Sequence, residues 1–182
     1  SSGSLPSSSS TSRSSGTIVL RELRDRSLAA RDRRRRGRPA GCHHSRFPAL
    51  RAAAGAGVTA VFLTEGTVDP FNSKVVRAAV GSHFRIPMVW LDAGNRSQIE
   101  QRCRVRVVAD ADADRTYDEI DWTSGTALIV GSEAHGVREL GDSLGTVGAR
   151  IPLAAGVESL NAGVAGAICL FEAARQRRHR TR

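Results

Sequence analysis

The sequence predicts an α/β domain, a parallel sheet flanked by helices, and three observations carry that prediction. With 182 residues and 40% of them hydrophobic, the chain has enough apolar surface for one core and too little for two. Apolar, β-rich runs alternate with helix-prone segments along most of its length, the order expected of strands joined by helical crossovers. Those runs are apolar throughout and do not alternate with polar residues, as strands covered on both faces require.

Residues 1–16 contain ten Ser with Gly and Pro among them. That composition buries too little apolar surface to offset chain entropy, and the segment is read as disordered. Thr17-Ile18-Val19-Leu20 is a short β-prone run, whereas Arg21 to Ala40, with its Arg33-Arg34-Arg35-Arg36 block, shows no apolar periodicity. Leu50 to Ala54 is helix-prone and stops at Gly55 and Gly57, and Val58 to Leu63 follows as a buried strand. Asp69 is expected to cap the next helix, Ser73 to His83, where Val75, Val76, Ala79 and Val80 recur at helical spacing. Ile86 to Leu91 reads as a strand, Ser97 to Cys103 as a short helix and Val105 to Ala109 as a strand. Beyond an acidic loop, Thr126 to Val130 is a continuous apolar strand ending at Gly131, and Val137 to Leu144 is a short helix. Ala149 to Leu153 is the last strand, and Ser159 to Arg178 a long Ala-rich helix with Ser159 as cap and Leu160, Val164, Ile168 and Phe171 on one stripe.

Composition excludes several classes. No apolar run reaches the roughly 18 residues of a membrane span, and no charged segment leads into an apolar stretch as in a secretory signal. A soluble, cytoplasmic protein without a membrane partner is expected. The three cysteines, Cys42, Cys103 and Cys169, are odd in number and widely spaced, which suits neither a disulfide framework nor a zinc site, so no metal is expected. Cys42-His43-His44 has metal-ligand residue types but no second cluster at finger spacing. His83 and His135 are read as surface or packing residues. The sole Met is Met88, so the start is expected to be either processed or truncated from a longer natural chain.

The formal charge of +9 is unevenly placed. Residues 1–56 carry twelve Arg against three acids, residues 57–172 carry ten bases against fifteen acids, and residues 173–182 add five Arg. A mildly acidic body between cationic ends can hold a polyanion such as RNA by counterion release without reading its sequence. Aromatic residues are too few and scattered for a base-stacking platform, so RNA contact rests on Arg and shape.

Two segments carry the chemistry. Ile129-Val130-Gly131-Ser132-Glu133-Ala134-His135-Gly136 places two glycines and a carboxylate at a strand end, where parallel sheets bind ligands. It matches neither a Gly-x-Gly-x-x-Gly dinucleotide fingerprint nor a Lys-Ser/Thr phosphate loop. Ile151-Pro152-Leu153, a Gly-containing link and Val157-Glu158-Ser159-Leu160-Asn161 then lead into the last helix. Ser159 and Asn161 lie there beside free backbone N–H donors able to hold polar ligand atoms.

Together these segments, with Glu172 and Arg175 near the end of the Ala-rich helix, resemble the SpoU (TrmH-like) branch of the SPOUT superfamily. Its members are S-adenosylmethionine-dependent RNA ribose 2′-O-methyltransferases. The resemblance covers roughly Leu50 to Arg178 and includes Thr64 to Ala79. It implies a C-terminal trefoil knot, an exception to the unknotted run of ordinary folds. It implies S-adenosylmethionine as cofactor, cradled by Leu128, Val130, Gly131, Gly136, Ile151, Leu153, Ser159, Leu160 and Asn161. It also implies an rRNA or tRNA substrate and a homodimer whose site the partner subunit completes. The domain division that follows is an atypical segment over 1–44, a SpoU-type methyltransferase domain over 45–178 and a basic tail over 179–182.

The family's first motif is where the sequence departs. Aligned on Leu50-Arg51-Ala52-Ala53, the motif's Arg is Arg51, but Ser45 stands in place of Asn and Phe47 in place of Gly. The leading strand and its loop survive as Ile18-Val19-Leu20 and Arg24-Asp25, with Arg-rich material between. An altered reading frame or a degenerate stretch between Asp25 and Phe47 is the expected origin. By the resemblance, Arg51, Glu133, Ser159 and Asn161 are the catalytic set. A guanidinium near ribose O2′ stabilises a developing alkoxide while keeping its own proton, and Glu133 would hold Arg51 or the sugar. The second reading, from a different class, is a catalytically impaired RNA-binding homologue.

Overall fold

The computed structural model describes residues 16–21, 48–64, 67, 69–131 and 138–180. Among these, β1 (Gly16–Arg21), β2 (Ala60–Leu63), β3 (Met88–Trp90), β4 (Val105–Ala109), β5 (Thr126–Gly131) and β6 (Val147–Ala149) form one sheet in the order β3-β2-β1-β5-β4-β6. The helices are α1 (Pro48–Gly55), α2 (Ser73–Ala79), α3 (Ala93–Arg102), α4 (Arg138–Leu144) and α5 (Ala162–Arg180). No helix among the described residues is long and apolar enough to cross a membrane.

The α/β class and the flanking helices follow the sequence reading, with one departure in strand direction. β2 and β3 pair in parallel, as do β4 with β5 and β4 with β6, but β1 runs antiparallel to both β2 and β5. The short run Thr17 to Leu20 thus becomes the central strand, although it lies inside the atypical N-terminal segment. It joins the two halves of the sheet, and an antiparallel ladder satisfies the facing backbone groups of β2 and β5 as well as a parallel one does.

The side-chain period of two sorts the strands onto two cores. Val61, Leu63, Val107, Leu128 and Val130 pack with Leu50 and Ala53 of α1 and with Cys169, Leu170 and Ala173 of α5. Ala60, Phe62, Ala127 and Ile129 pack on the other face with Ile99 of α3 and Leu144 of α4. Each fully buried side chain of this size contributes about 1.5–3 kcal/mol, which is why runs apolar on both faces mark the sheet so clearly.

Several boundaries move for identifiable reasons. The helix expected over Ser73 to His83 stops at Ala79, because Val80 and Gly81 both take left-handed conformations (φ 44° and 77°). A 3₁₀ turn, Ser82–Phe84, follows. The N-cap of α2 is Asn72, whose side chain accepts from Lys74 N, while Asp69 instead accepts from Phe71 N in a turn. Helix α3 begins four residues early, on a reciprocal capping box between Asp92 and Asn95. The last strand shifts to Val147–Ala149: beyond Ala149 its neighbour β4 has ended, and the chain keeps only a bridge between Arg150 and Thr116. Helix α5 starts at Ala162, not Ser159, and runs through His179 and Arg180, the first two residues of the expected tail.

The stripe expected to bury α5 is not the buried one. Val164 and Phe171 are 44% and 50% exposed, whereas Gly163, Gly166, Cys169, Leu170, Ala173 and Ala174 face the core. Small residues decide this. A Cβ on Gly166 would lie 3.3 Å from Val130 Cγ2, so a larger residue there would have to push Val130 aside by a few tenths of an ångström for the helix to lie this close to β5.

Candidate functional site

The carboxyl ends of β4, β5 and β6 open onto a cleft of about 290 Å³, near the lower end of the roughly 300–1,000 Å³ typical of small-molecule sites. Four stretches build it. Ala109, Asp110 and Ala111 carry β4 onward, Val130 and Gly131 end β5, and Ala149, Ile151 and Leu153 leave β6. Ser159, Leu160, Ala162 and Ala165 bring in the start of α5. Strands that stop at one level, followed by chain that turns aside, leave a concavity that is the usual ligand position of a parallel sheet.

The connection from β6 to α5 is shaped by local chemistry. Ala154 to Val157 closes a turn through a 3.2 Å Val157 N to Ala154 O bond, with Gly156 at φ 86°, the left-handed position that glycine fills most readily. Asn161 is the true cap of α5. Its Oδ1 accepts from Gly163 N at 3.0 Å and Val164 N at 3.3 Å, so it satisfies helix donors and does not lie inside the first turn. Ser159, expected as the cap, lines the cleft instead.

The structure brings together Val130, Gly131, Ile151, Leu153, Ser159 and Leu160 on one cleft, with Asn161 immediately beside them. Leu128 lies lower in β5, 2% exposed and packed in the core, and does not line the cleft. Arg51 stands exposed on α1, outside the lining residues. Glu133, Gly136 and His135 lie outside the described residues, as do Ser45, Phe47 and Cys42-His43-His44. Sequence reasoning missed Asp110, the one charged side chain among the described residues lining the cleft. Its signal was present, an acid directly after an apolar strand, but a run of Asp at alternate positions reads as a solvated loop.

That loop is anchored to α5 by side chains. Gln176 accepts from Trp122 N at 3.0 Å and donates to Ile120 O at 3.0 Å and to Glu172 Oε1 at 2.8 Å. Trp122, 1% exposed, donates its indole N–H to Tyr117 O at 2.7 Å. Arg175 holds Glu172 through two 2.7 Å contacts, and this pairing keeps the Glu172 carboxyl below its ordinary range. Hydrogen bonds from Thr116 hold Asp118 and Glu119 low, and Thr123 does so for Asp121. No group of three or more metal-ligating residues occurs among the described residues. Cys103 and Cys169 are buried, and burial pushes the Cys169 thiol up to about 12, which leaves it protonated and inert near neutrality.

Comparison with known proteins agrees with this architecture. The SpoU rRNA Methylase family profile matches residues 48–171. The mouse protein "rRNA methyltransferase 3, mitochondrial" is 32% identical over 179 residues, covering 71% of this chain and 43% of the mouse protein. The Pseudomonas aeruginosa "23S rRNA (guanosine-2'-O-)-methyltransferase RlmB" is 35% identical over 136 residues, 74% of this chain and 55% of that protein. The chain therefore spans about half the length of the curated relatives it matches. Among solved structures, the SpoU methyltransferase AviRb from Streptomyces viridochromogenes, in complex with AdoMet, aligns with a TM-score of 0.66 and 29% identity. That alignment covers 72% of this chain and 55% of AviRb. The cleft at the ends of three parallel strands, the motif residues around it and the matched profile converge: this chain belongs to the SpoU rRNA methylase family.

Proposed function

We propose that this chain is the methyl-transferring domain of an rRNA ribose 2′-O-methyltransferase that uses S-adenosylmethionine. The observation that carries the reading is the cleft itself. Residues from both sequence motifs, far apart in the chain, line one concavity at the ends of β5 and β6 and the start of α5. The names of the relatives support ribosomal RNA as substrate.

The residues present fit the cofactor. Alanine, valine, isoleucine and leucine supply apolar walls for an adenosyl group, and Gly131 lets backbone approach closely. Ser159 and the Asn161 cap put polar groups at the mouth, and Leu128 would contribute only by supporting Val130 from beneath. When bound, S-adenosylmethionine supplies a methyl group already activated as a sulfonium, so the protein's work is orientation and charge. Arg51 is assigned to the ribose O2′, where its guanidinium stabilises negative charge without giving up a proton. Glu133 is assigned to hold Arg51 or the sugar, and Gly136 to the cofactor.

The proposal includes a homodimer and a C-terminal knot. Gly55, one helical turn beyond Arg51 on α1, approaches Phe171, with 3.4 Å between a Cβ built on Gly55 and Phe171 Cζ. Half-exposed Phe171 and Val164, seven residues apart on one face of α5, extend an apolar surface next to Arg51's helix, as a partner completing the site would need. The knot is supported by the path from β6 past the cleft into α5, which turns back under β5. A domain over 45–178 that takes in β1 as well, and a reducing, cytoplasmic setting, complete the reading, the latter fitting two buried thiols.

The test is methyl transfer from labelled S-adenosylmethionine to ribosomal RNA, followed by nuclease digestion and mass analysis. A 2′-O-methylated nucleotide is expected. Arg51→Ala is expected to abolish transfer while leaving cofactor affinity, by calorimetry, nearly unchanged. Failure of the wild-type chain to bind the cofactor overturns the reading, and binding without product identifies an impaired homologue.

A further inference from the structure

Asp110 is the one charge among the described residues lining a cleft otherwise made of alanine, glycine and aliphatic side chains with a single hydroxyl. Its backbone is fixed from two sides: its N–H donates to Ala149 O at 3.1 Å, and its carbonyl accepts from Ala113 N at 3.4 Å. The carboxylate is held as well, because Oδ1 accepts from Asp112 N at 3.1 Å. Oδ2 has no partner among the described residues.

We infer that Asp110 is a cofactor-specificity residue whose Oδ2 accepts hydrogen bonds from the ribose hydroxyls of the adenosyl group; this rests on the reading of the cleft as the S-adenosylmethionine site. S-adenosylmethionine offers a carboxylate three kinds of donor: the adenine amino group, the methionyl ammonium and the two ribose hydroxyls. The methionyl ammonium has its own carboxylate beside it, which opposes Asp110, and the flat base suits the apolar walls. The vicinal hydroxyls are two adjacent donors, and because Asp110 is exposed its carboxylate accepts from them without a burial penalty. Such charge-assisted bonds are about twice as strong as neutral ones. A carboxylate on a strand end beside a nucleotide is a general solution to ribose recognition in parallel sheets.

The experiment compares the affinity of the full chain for S-adenosylhomocysteine with that for its 2′-deoxy and 3′-deoxy analogues, by calorimetry, in the wild type, Asp110→Asn and Asp110→Ala. The expected wild-type preference for the intact ribose is about tenfold or more for at least one hydroxyl, the size of a hydrogen bond to a charged group. In both variants it falls to about twofold or less. Asp110→Asn keeps an oxygen for the Asp112 N–H, so the turn survives. A change that merely loosens the fold weakens all three ligands alike and leaves their ratio where it was. A wild type that does not distinguish the ligands, or variants that still do, overturns the assignment to Asp110 while leaving the cofactor reading intact. A wild type that binds none of them overturns both.

Discussion

Individual residues show where local preference yields to the fold. Val80 is a β-branched residue at φ 44°, ψ 57°, a conformation that costs an L-residue of this kind about 1–2 kcal/mol. It is also 68% exposed, so its side chain gains little in return. Val80→Gly is therefore expected to raise stability by up to about 1 kcal/mol, part of the relieved strain being offset by the freer unfolded chain. Urea unfolding checks it, and a lower midpoint would show that the Val80 side chain makes a contribution its exposure hides. Gly145 is the opposite case. A Cβ there would run into Val108 Cγ2 and the Gly141 carbonyl, which makes this glycine a requirement of packing at the end of α4. Neither property was legible in the sequence, since a left-handed Val and a sterically required Gly look like any other Val and Gly until their neighbours are in place.

Elements are held by a few polar side chains as much as by apolar faces. Arg106 donates to Leu144 O and Cys103 O, and Arg96 to Ser143 O, so the last carbonyls of α4 are satisfied by charged donors from outside the helix. The clamp between α5 and the 116–122 loop works in the same way. Removing Gln176 strands Trp122 N and Ile120 O in a partly buried place, and Gln176→Ala is expected to cost about 1–3 kcal/mol, read as a fall in unfolding free energy. Glu172 adds a pH dependence. Arg175 holds its folded-state carboxyl below the ordinary value of 4.5, so the unfolded chain binds more protons and the contribution is full above that value. It is lost as pH falls from there through the folded-state value. Glu172→Gln should flatten the acid limb of the stability curve, and an unchanged limb would place the dependence elsewhere, with Asp118, Glu119 or Asp121. Helix α3 depends on a polar contact of the same kind: its apolar content is slight, and the reciprocal box between Asp92 and Asn95, which apolar periodicity does not register, sets its start.

For the whole molecule, two of the seven large apolar residues exposed among the described residues lie on α5. Val164 and Phe171 share a face beside α1, the helix that carries Arg51. In the proposed homodimer this face is covered, so sedimentation equilibrium is expected to give twice the chain mass and Phe171→Asp to shift it toward the monomer. A wild type that sediments as a monomer with full transfer activity would remove the dimer from the mechanism. The position of β1 belongs to the same scale. Among the described residues it is the sole link between β2 and β5 in the sheet, so the two halves depend on a strand whose neighbours in the chain are the least fold-like part of the sequence.

The sequence by itself determined the class, most of the strands and the two motifs, because burial on both faces demands continuous apolar runs and close ligand approach demands glycine and small polar residues at strand ends. Only the tertiary structure decided which way β1 runs, which face of α5 is buried, that Leu128 is core and not cleft, and that Asp110 meets the cleft. Each of these depends on which surfaces meet, and contact between residues distant in the chain has no local signature.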